Sequence, residues 1–419
     1  MAQAKKQWSQ GRTITAGVAG NVLEWYDFAI YGFFAPIIAQ QFFPSEDPTV
    51  SLLVTFGAFA AGFLMRPVGA VLFGHIGDKF GRGRSLVLSV MLMAIPTFLI
   101  GLLPNYESIG MSAAVLMLLL RMAQGLAVGG EYTSSVVFLA EKAPAGRRAF
   151  FSSWAMFGAT GGTLLGSAVG AGLTHLLGDA ALAEWGWRVA FLGGIAVAVL
   201  GFLIRRGMAD DDQVEPEVPP IKTAFTHYWR EMLRVSALNI VGAVSFYLMF
   251  VYIVTWLIEQ VKEPNSTALD INTMAMATLL VFIPICAILS DKYGRKLMLL
   301  IGMGGLAVLA YPLLKLMHHQ DMTMILTGQI CFALLLAMFM SGLPAAMTER
   351  FPRHIRVTAV SVGYNLTYAI FGGTAPLVAV WLIERSHDDL AFSWYIAAMA
   401  AISFCVALTL KDRRNEPLS

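Results

Sequence analysis

The sequence predicts an all-α integral membrane protein: twelve transmembrane helices in two six-helix bundles related by a pseudo-two-fold axis, both termini cytoplasmic. Three observations predict it. Hydrophobic residues make up 57% of the 419 positions and charged residues only 13%, whereas a soluble domain carries about 25% charge. Apolar runs of spanning length, about 20 residues each, recur along the whole chain. The second half of the chain echoes motifs of the first.

The spans read, in order, at roughly 14–40, 50–75, 85–103, 109–140, 148–176 and 188–206, then 232–259, 269–289, 297–315, 323–347, 356–384 and 390–410. Runs longer than the bilayer is thick imply tilt or ends that project into water. Basic residues set the orientation. With the N-terminus inside, 23 of the 29 Lys and Arg fall on inside segments. Arg188, Lys262, Lys315 and Arg385 fall outside, and Arg66 and Arg121 lie within spans. Cys286, Cys331 and Cys405 all sit in predicted spans and read as packing residues, not a disulfide framework. The first span is too long for the apolar core of a signal peptide. Net charge is +2, which gives no reason to expect nucleic acid.

The polar, proline-rich "RRGMADDDQVEPEVPPIK" (Arg205–Lys222) divides the chain into an N-terminal bundle (1–206), a cytoplasmic linker (207–231) and a C-terminal bundle (232–419). "GHIGDKFGRGR" at Gly74 pairs with "AILSDKYGRKL" at Ala287, aligned at Asp78 and Asp291. "EKAPAGRR" at Glu141 pairs with "ERFPRHIR" at Glu349: each has Pro three residues on and Arg seven on. "WGWRVAF" at Trp185 meets "FSWYIAA" at Phe392. Parallel six-helix repeats of this kind place a binding site near the midplane, between the repeats.

The paired G-x-x-x-D-K/R-x-G-R-K/R loops resemble the signature of the major facilitator superfamily, along essentially the whole chain. More narrowly, "GNVLEWYDFAIYGFF", "AGFLMRPVGAVLFGHIGDKFGR", "RMAQGLAVGGEYTSS" and "EWGWRVAFLGG" are similar to the metabolite:proton symporters. That branch moves carboxylates such as citrate or 2-oxoglutarate and zwitterionic osmolytes such as proline and betaine. Ala287 replaces the first glycine of the second loop signature, and the linker is short for the branch. The resemblance implies a cytoplasmic latch of Asp78, Arg82 and Glu141 with Arg148, and a counterpart of Asp291, Arg295, Glu349 and Arg356. The bland reading of these loops, positive charge held inside, explains their basic residues but not Asp78.

Five charges lie within the spans: Glu24 and Asp27 on the first, Arg66 on the second, Arg121 and Glu131 on the fourth. Each costs roughly 2.5–3.5 kcal/mol near the bilayer centre on insertion scales. Helical spacing puts Glu24, Asp27 and Tyr31 on one stripe, and Arg121, Gln124, Val128, Glu131 and Ser135 on another. Such stripes face protein or a cavity. Glu24, Asp27 and Glu131 are the candidate proton carriers. Arg121 and Arg66, with Tyr31, Gln124, Tyr247, Tyr364, Asn365 and Tyr368, are the candidate substrate contacts. An anion on an arginine frees a nearby acid to take a proton, which would couple the two fluxes. The alternative is a structural ion pair that holds helices in register and binds nothing.

The glycines of "GATGGTLLGSAVGAG" on the fifth span and "FGGTAP" on the eleventh predict tight helix contacts, and the second predicts a bend. His75, His318 and His319 form no metal-ligand spacing, and nothing resembles a nucleotide-binding loop. The expectation is a non-enzymatic, cofactor-free importer of a small organic anion in a bacterial inner membrane. It would be driven by a proton gradient, work as a monomer and meet only lipid, substrate and protons. "YNLTYAIFGGTAPLVAVWLIE" (Tyr364–Glu384) looks more like carboxylate-moving than osmolyte-moving members. A proline or betaine symporter is the first alternative; a flux-free nutrient sensor and a drug:proton antiporter are the others.

Overall fold

The computed structural model describes residues 10–72, 82–128, 131–205 and 220–418, and within these ranges leaves out some helix side chains, those of Arg82 and Glu131 among them. Every regular element among these residues is helical. Seven helices are long and apolar enough to cross a membrane, with 23 to 33 residues each. They are Pro48–Leu72, Met111–Lys142, Trp229–Val261, Asn265–Tyr293, Arg295–Met317, Met322–Thr348 and Arg356–Ser386. They form spans two, four, seven, eight, nine, ten and eleven. Arg82–Leu102, Arg148–Ala181, Trp187–Arg205 and Phe392–Leu408 occupy the places of spans three, five, six and twelve. The first span is a bent pair, Gln10–Phe33 and Ala35–Phe42, turned by 65° at Phe34. Pro36 enters the second piece in its first turn, where its missing N–H costs no hydrogen bond.

Apolar side chains left exposed mark the lipid face. Met91, Ile95 and Leu99 line it on span three, Ile195 and Val199 on span six, Val308 on span nine and Trp394 and Ile402 on span twelve. The inner spans pack by close backbone approach. Span one lies along span five, where Gly158 and Gly162 sit against the carbonyls of Val18 and Val22. Across the halves, span five meets spans eight and ten, and span two meets span eleven.

Three departures from the predicted elements bear on the site. The linker gives way early: a short helix, Pro220–His227, precedes a seventh span that starts at Trp229. Residues 206–219 lie outside the description. The fourth span departs from regular helical geometry at Val128 (φ −96°, ψ 18°), and the chain is helical where the description resumes at Glu131. The stripe from Arg121 to Ser135 therefore does not run on at 100° per residue. Ser135 instead accepts a hydrogen bond from Asn21 of span one, at 2.8 Å.

The third departure is a set of widened π-helical turns at Leu248–Tyr252, Leu257–Val261 and Tyr368–Gly372. Such turns leave backbone carbonyls short of helical donors, which a membrane interior must satisfy by other means. Gln329 donates to the Met249 carbonyl (2.9 Å) and Asn272 to that of Phe250 (3.1 Å), and the two amides bond each other at 2.8 Å. Tyr247 precedes the first of these turns and Tyr368 opens the third, and their ring centres lie 6.1 Å apart. Span eleven loses regular helical hydrogen bonding at Gly373 and Thr374, although both keep helical backbone angles, and Gly373 lies against the Phe63 side chain.

Candidate functional site

The two span arginines are held by different means but meet at one ring. Arg66 follows a break in span two at Met65, and Arg121 lies inside the fourth-span helix. Gly62 and Gly125 let the two spans touch backbone to backbone: a Cβ on Gly125 would overlap the Gly62 carbonyl. The guanidinium carbons then sit 4.7 Å (Arg66) and 4.8 Å (Arg121) from the Phe28 ring centre. Phe63 and Trp25 also face Arg66, at 4.1 and 5.6 Å, and Tyr31 and Phe59 face Arg121, at 4.3 and 5.3 Å. Arg66 is 1% exposed and Arg121 is fully buried.

Cation–π contact stabilises a desolvated guanidinium by about 2 kcal/mol but accepts none of its directed N–H bonds. Nε and Nη2 of both arginines have no hydrogen-bond partner. On each residue these two atoms form one edge of the fork, the edge that binds a carboxylate bidentately. The other side of Arg121 is engaged. Nη1 donates to Gln124 Oε1 (2.7 Å), Gln124 Nε2 donates to Thr97 Oγ1 (2.7 Å), and Thr97 donates to Asp27 Oδ2 (2.9 Å). A chain of hydrogen bonds thus joins the arginine to a carboxyl that is 4% exposed. Asp27 Oδ1 accepts none.

Of the residues singled out from sequence, Asp27, Tyr31, Arg66, Arg121, Gln124, Tyr247, Tyr364 and Tyr368 come together at this centre. Glu24 is buried beside them and, like Arg66 and Arg121, acts electrostatically on Tyr247. Tyr31 contributes its ring face; its hydroxyl donates to the Thr55 carbonyl at 3.0 Å and holds spans one and two together. Asn365 is buried on span eleven. The side chain of Glu131 lies outside the description.

Sequence reasoning missed six participants: Trp25, Phe28, Phe59, Phe63, Thr97 and Tyr132. Phe59 and Phe63 are seven and three residues before Arg66, a helical spacing that could have found them. Trp25, Tyr132, Tyr247, Tyr364 and Tyr368 build an aromatic wall against the arginines. Trp25 stacks on Tyr247 at 6.2 Å, Tyr132 lies 4.6 Å from Tyr364, and Tyr364 stacks on Tyr368 at 4.1 Å. The Tyr132 and Tyr247 hydroxyls have no hydrogen-bond partner.

On the side of the basic loops, the halves are locked by exchanged pairs. Arg148 binds Glu349 at 2.9 Å, and Arg356 binds Glu141 at 2.5 Å. These are the equivalent residues of the two echoed motifs, so each half's arginine takes the other half's glutamate. Arg295 also holds Glu349 (3.2 Å) and Asp291 (2.8 Å). Asp291 accepts the Ala149 and Phe150 amides (3.0 and 2.9 Å), so a C-terminal-half carboxylate caps a helix of the N-terminal half. Asp78, the equivalent residue, lies outside the described residues, as does the Arg82 side chain. Burial pushes the Glu349 carboxyl up from its ordinary value, while Arg295 and Arg148 pull it back.

A C-terminal strap crosses the same junction. Arg148 Nη2 donates to the Arg414 and Glu416 carbonyls, Arg413 to that of Glu349 (3.2 Å) and Arg414 to that of Lys292 (2.9 Å). At the far end, His175 meets Asp270 (2.9 Å), Asp179 meets Asn265 (3.1 Å) and Thr49 meets Glu384 (3.4 Å). Both ends are bridged and the charges between them are enclosed.

Two helical bundles, closed by symmetric ion pairs around buried charge, have the architecture of a secondary transporter. Residues 13–208 match the model of the "Sugar (and other) transporter" family and residues 259–419 that of the "Major Facilitator Superfamily". The chain is 33% identical to the proline/betaine transporter of Escherichia coli (strain K12) over 97% of its own length and 84% of the relative's. It is 36% identical to the alpha-ketoglutarate permease of the same strain, over 95% and 93% of the two chains. Among solved structures it superposes on a proton:xylose symporter bound to 6-bromo-6-deoxy-D-glucose. The TM-score is 0.75 and the identity 17%, over 98% and 97% of the chains. The protein belongs to the major facilitator superfamily. It is a multi-span membrane transporter and not an enzyme.

Proposed function

We propose that the protein is a proton-driven importer of a small di- or tricarboxylate such as 2-oxoglutarate or citrate. The observation that carries this reading is the pair of unpartnered bidentate edges on Arg66 and Arg121, buried side by side around Phe28. Unpaired N–H groups of a buried guanidinium are costly. Two carboxylates of one ligand would satisfy both edges and neutralise both charges. Tyr247 and Tyr132 add hydroxyl donors from the facing wall.

Asp27 is the coupling acid on this reading, with Glu24 beside it and Glu131 as the third candidate. Loss of water penalises its anion, while the chain through Thr97 and Gln124 and the nearby Arg121 charge favour it. Substrate on Arg121 neutralises that charge, so proton and anion bind together. The exchanged pairs Arg148–Glu349 and Glu141–Arg356 are the breakable contacts of one gate, and rocking of the two bundles exposes the site alternately. No cofactor is required beyond the proton gradient.

A second reading has its own support. Five aromatic rings beside an arginine can hold a quaternary ammonium and a carboxylate, as betaine would present. The proline/betaine relatives favour it as the permease favours the first. Uptake of labelled 2-oxoglutarate, citrate, proline and betaine into proteoliposomes, with and without an inward proton gradient, decides between them. Proton-stimulated uptake of a dicarboxylate supports the proposal. Uptake of betaine with no carboxylate transported overturns it.

A further inference from the structure

Thr97 lies alone in an otherwise apolar stretch of span three, yet it touches both ends of the coupling machinery. Its hydroxyl oxygen accepts from Gln124 at 2.7 Å. Its single proton has two acceptors at the same distance: Asp27 Oδ2 at 2.9 Å and the Met93 carbonyl, one turn back in its own helix, at 2.9 Å. A hydroxyl has one proton and two lone pairs, so it can serve only one of these acceptors at a time.

The consequence follows from counting. With Asp27 ionised, the Thr97 proton points to Oδ2, and Oγ1 keeps the Gln124 bond and one spare lone pair. With a proton on Oδ2, the carboxylic acid donates to that spare lone pair and the Thr97 proton swings to Met93. The Gln124 bond survives both states, and through it the link to Arg121. No heavy atom moves and Oδ2 never lacks a partner. We infer that Thr97 is a positioning residue for proton coupling: a two-way hydroxyl that lets Asp27 gain and lose its proton while staying tied to Arg121.

The surroundings of Asp27 give this hydroxyl its leverage. Among the described residues, the groups that act on Asp27 are Thr97 and the Arg121 charge, with Tyr26 next to it in its own helix; span six brings Gly194 against Oδ1. Tyr26 donates elsewhere, to the Ala190 carbonyl at 2.8 Å. Thr97 is thus the hydrogen-bond donor that Asp27 has. A buried hydrogen bond to a charged group is worth enough to change an equilibrium by about tenfold or more.

The inference rests on the reading of Asp27 as the coupling acid, and the test separates the two. Wild type, Asp27→Asn, Thr97→Val and Thr97→Ser are reconstituted in proteoliposomes. The substrate is whichever of 2-oxoglutarate, citrate and betaine the wild type accumulates. Proton-driven net uptake is compared across pH with equilibrium exchange, which needs no proton release. Asp27→Asn should abolish net uptake and spare exchange; if it remains proton-driven, the coupling role of Asp27 itself falls. Thr97→Val, which keeps the shape and removes the hydroxyl, should cut net uptake about tenfold or more and move its pH profile, with exchange within about threefold. Thr97→Ser should restore both. Net uptake and pH profile unchanged in Thr97→Val would overturn the inference while leaving Asp27 in place. A parallel loss of exchange in Thr97→Val, or failure of Thr97→Ser to restore net uptake, would show a packing role instead and overturn it too.

Discussion

Replacing Arg121 by lysine keeps the charge and removes the fork. Nη1 of Arg121 holds Gln124 while Nε and Nη2 form the open edge, so one guanidinium serves the hydrogen-bond chain and the ligand together. An ammonium cannot present two parallel N–H groups to a carboxylate and reach Gln124 as well. Loss of one charge-assisted bond costs about 1.5–3 kcal/mol, or roughly 10- to 150-fold in Kd. Arg121→Ala loses both bonds and the charge, so about 3–6 kcal/mol is expected on the same basis. Arg66 presents the same edge, so Arg66→Lys should cost a dicarboxylate about as much.

The assay is equilibrium binding to the purified protein, followed by fluorescence of Trp25, which lies 5.6 Å from Arg66, with the melting temperature as a control for folding. If one ligand bridges both arginines, the two lysine variants should be coupled and their double mutant less costly than the sum. A zwitterion has a single carboxylate, so one of the two variants should then be nearly silent. A Kd within twofold of wild type in Arg121→Lys, with the melting temperature intact, refutes the reasoning outright.

Four further outcomes follow from the structure. Exchanging charges as Arg148→Glu with Glu349→Arg should fail to restore transport, because Arg295 lies 3.2 Å from Glu349 and would then face a like charge; restoration to wild-type uptake would argue against that three-residue cluster. Burial dominates at Glu349 and raises its carboxyl in the closed gate above its ordinary 4.5. Between the ordinary and the raised value closing takes up a proton, so the closed gate gains as pH falls through the raised value, and above it the balance does not change with pH through Glu349. Spectroscopic distances across the gate should show this shift and lose it in Glu349→Gln. Deleting residues 412–418 removes the carbonyls that Arg148 uses and should raise the thiol reactivity of a cysteine placed at Ala345, a buried residue beside the gate; unchanged reactivity would show that the strap contributes nothing to closure. Gly125→Leu drives a side chain into the Gly62 carbonyl and should cost at least about 1–3 kcal/mol of stability, read as a lower melting temperature in detergent.

How much of this was legible in the sequence depends on the range of the interaction. Spans, their order and the repeat follow from hydropathy and local motifs, and the echoed Glu-x-x-Pro-x-x-x-Arg strings contain the four residues that pair across the halves. Their exchange across the halves was not readable, because which glutamate an arginine meets is set by packing and not by spacing. The Asp291 cap shows the same limit. Nothing near Asp291 in the sequence says that the helix it caps, through the Ala149 and Phe150 amides, belongs to the other bundle.

At the site, periodicity worked where helices stayed regular and failed where they broke. Glu24, Asp27 and Tyr31 share a face as predicted, since Gln10–Phe33 runs without interruption. The fourth-span stripe failed at Val128, and the π-helical turns next to Tyr247 and Tyr368 leave no local signature; the turn after Tyr247 has two of its carbonyls held by Asn272 and Gln329, from two other spans. Thr97 is the sharpest case. A single threonine in an apolar span is indistinguishable by sequence from one that bonds only its own helix, and this one does both. A buried charge announces itself by its cost in a membrane. The small polar groups that make the charge tolerable, and so set when it takes up or releases a proton, become visible only when the helices are assembled.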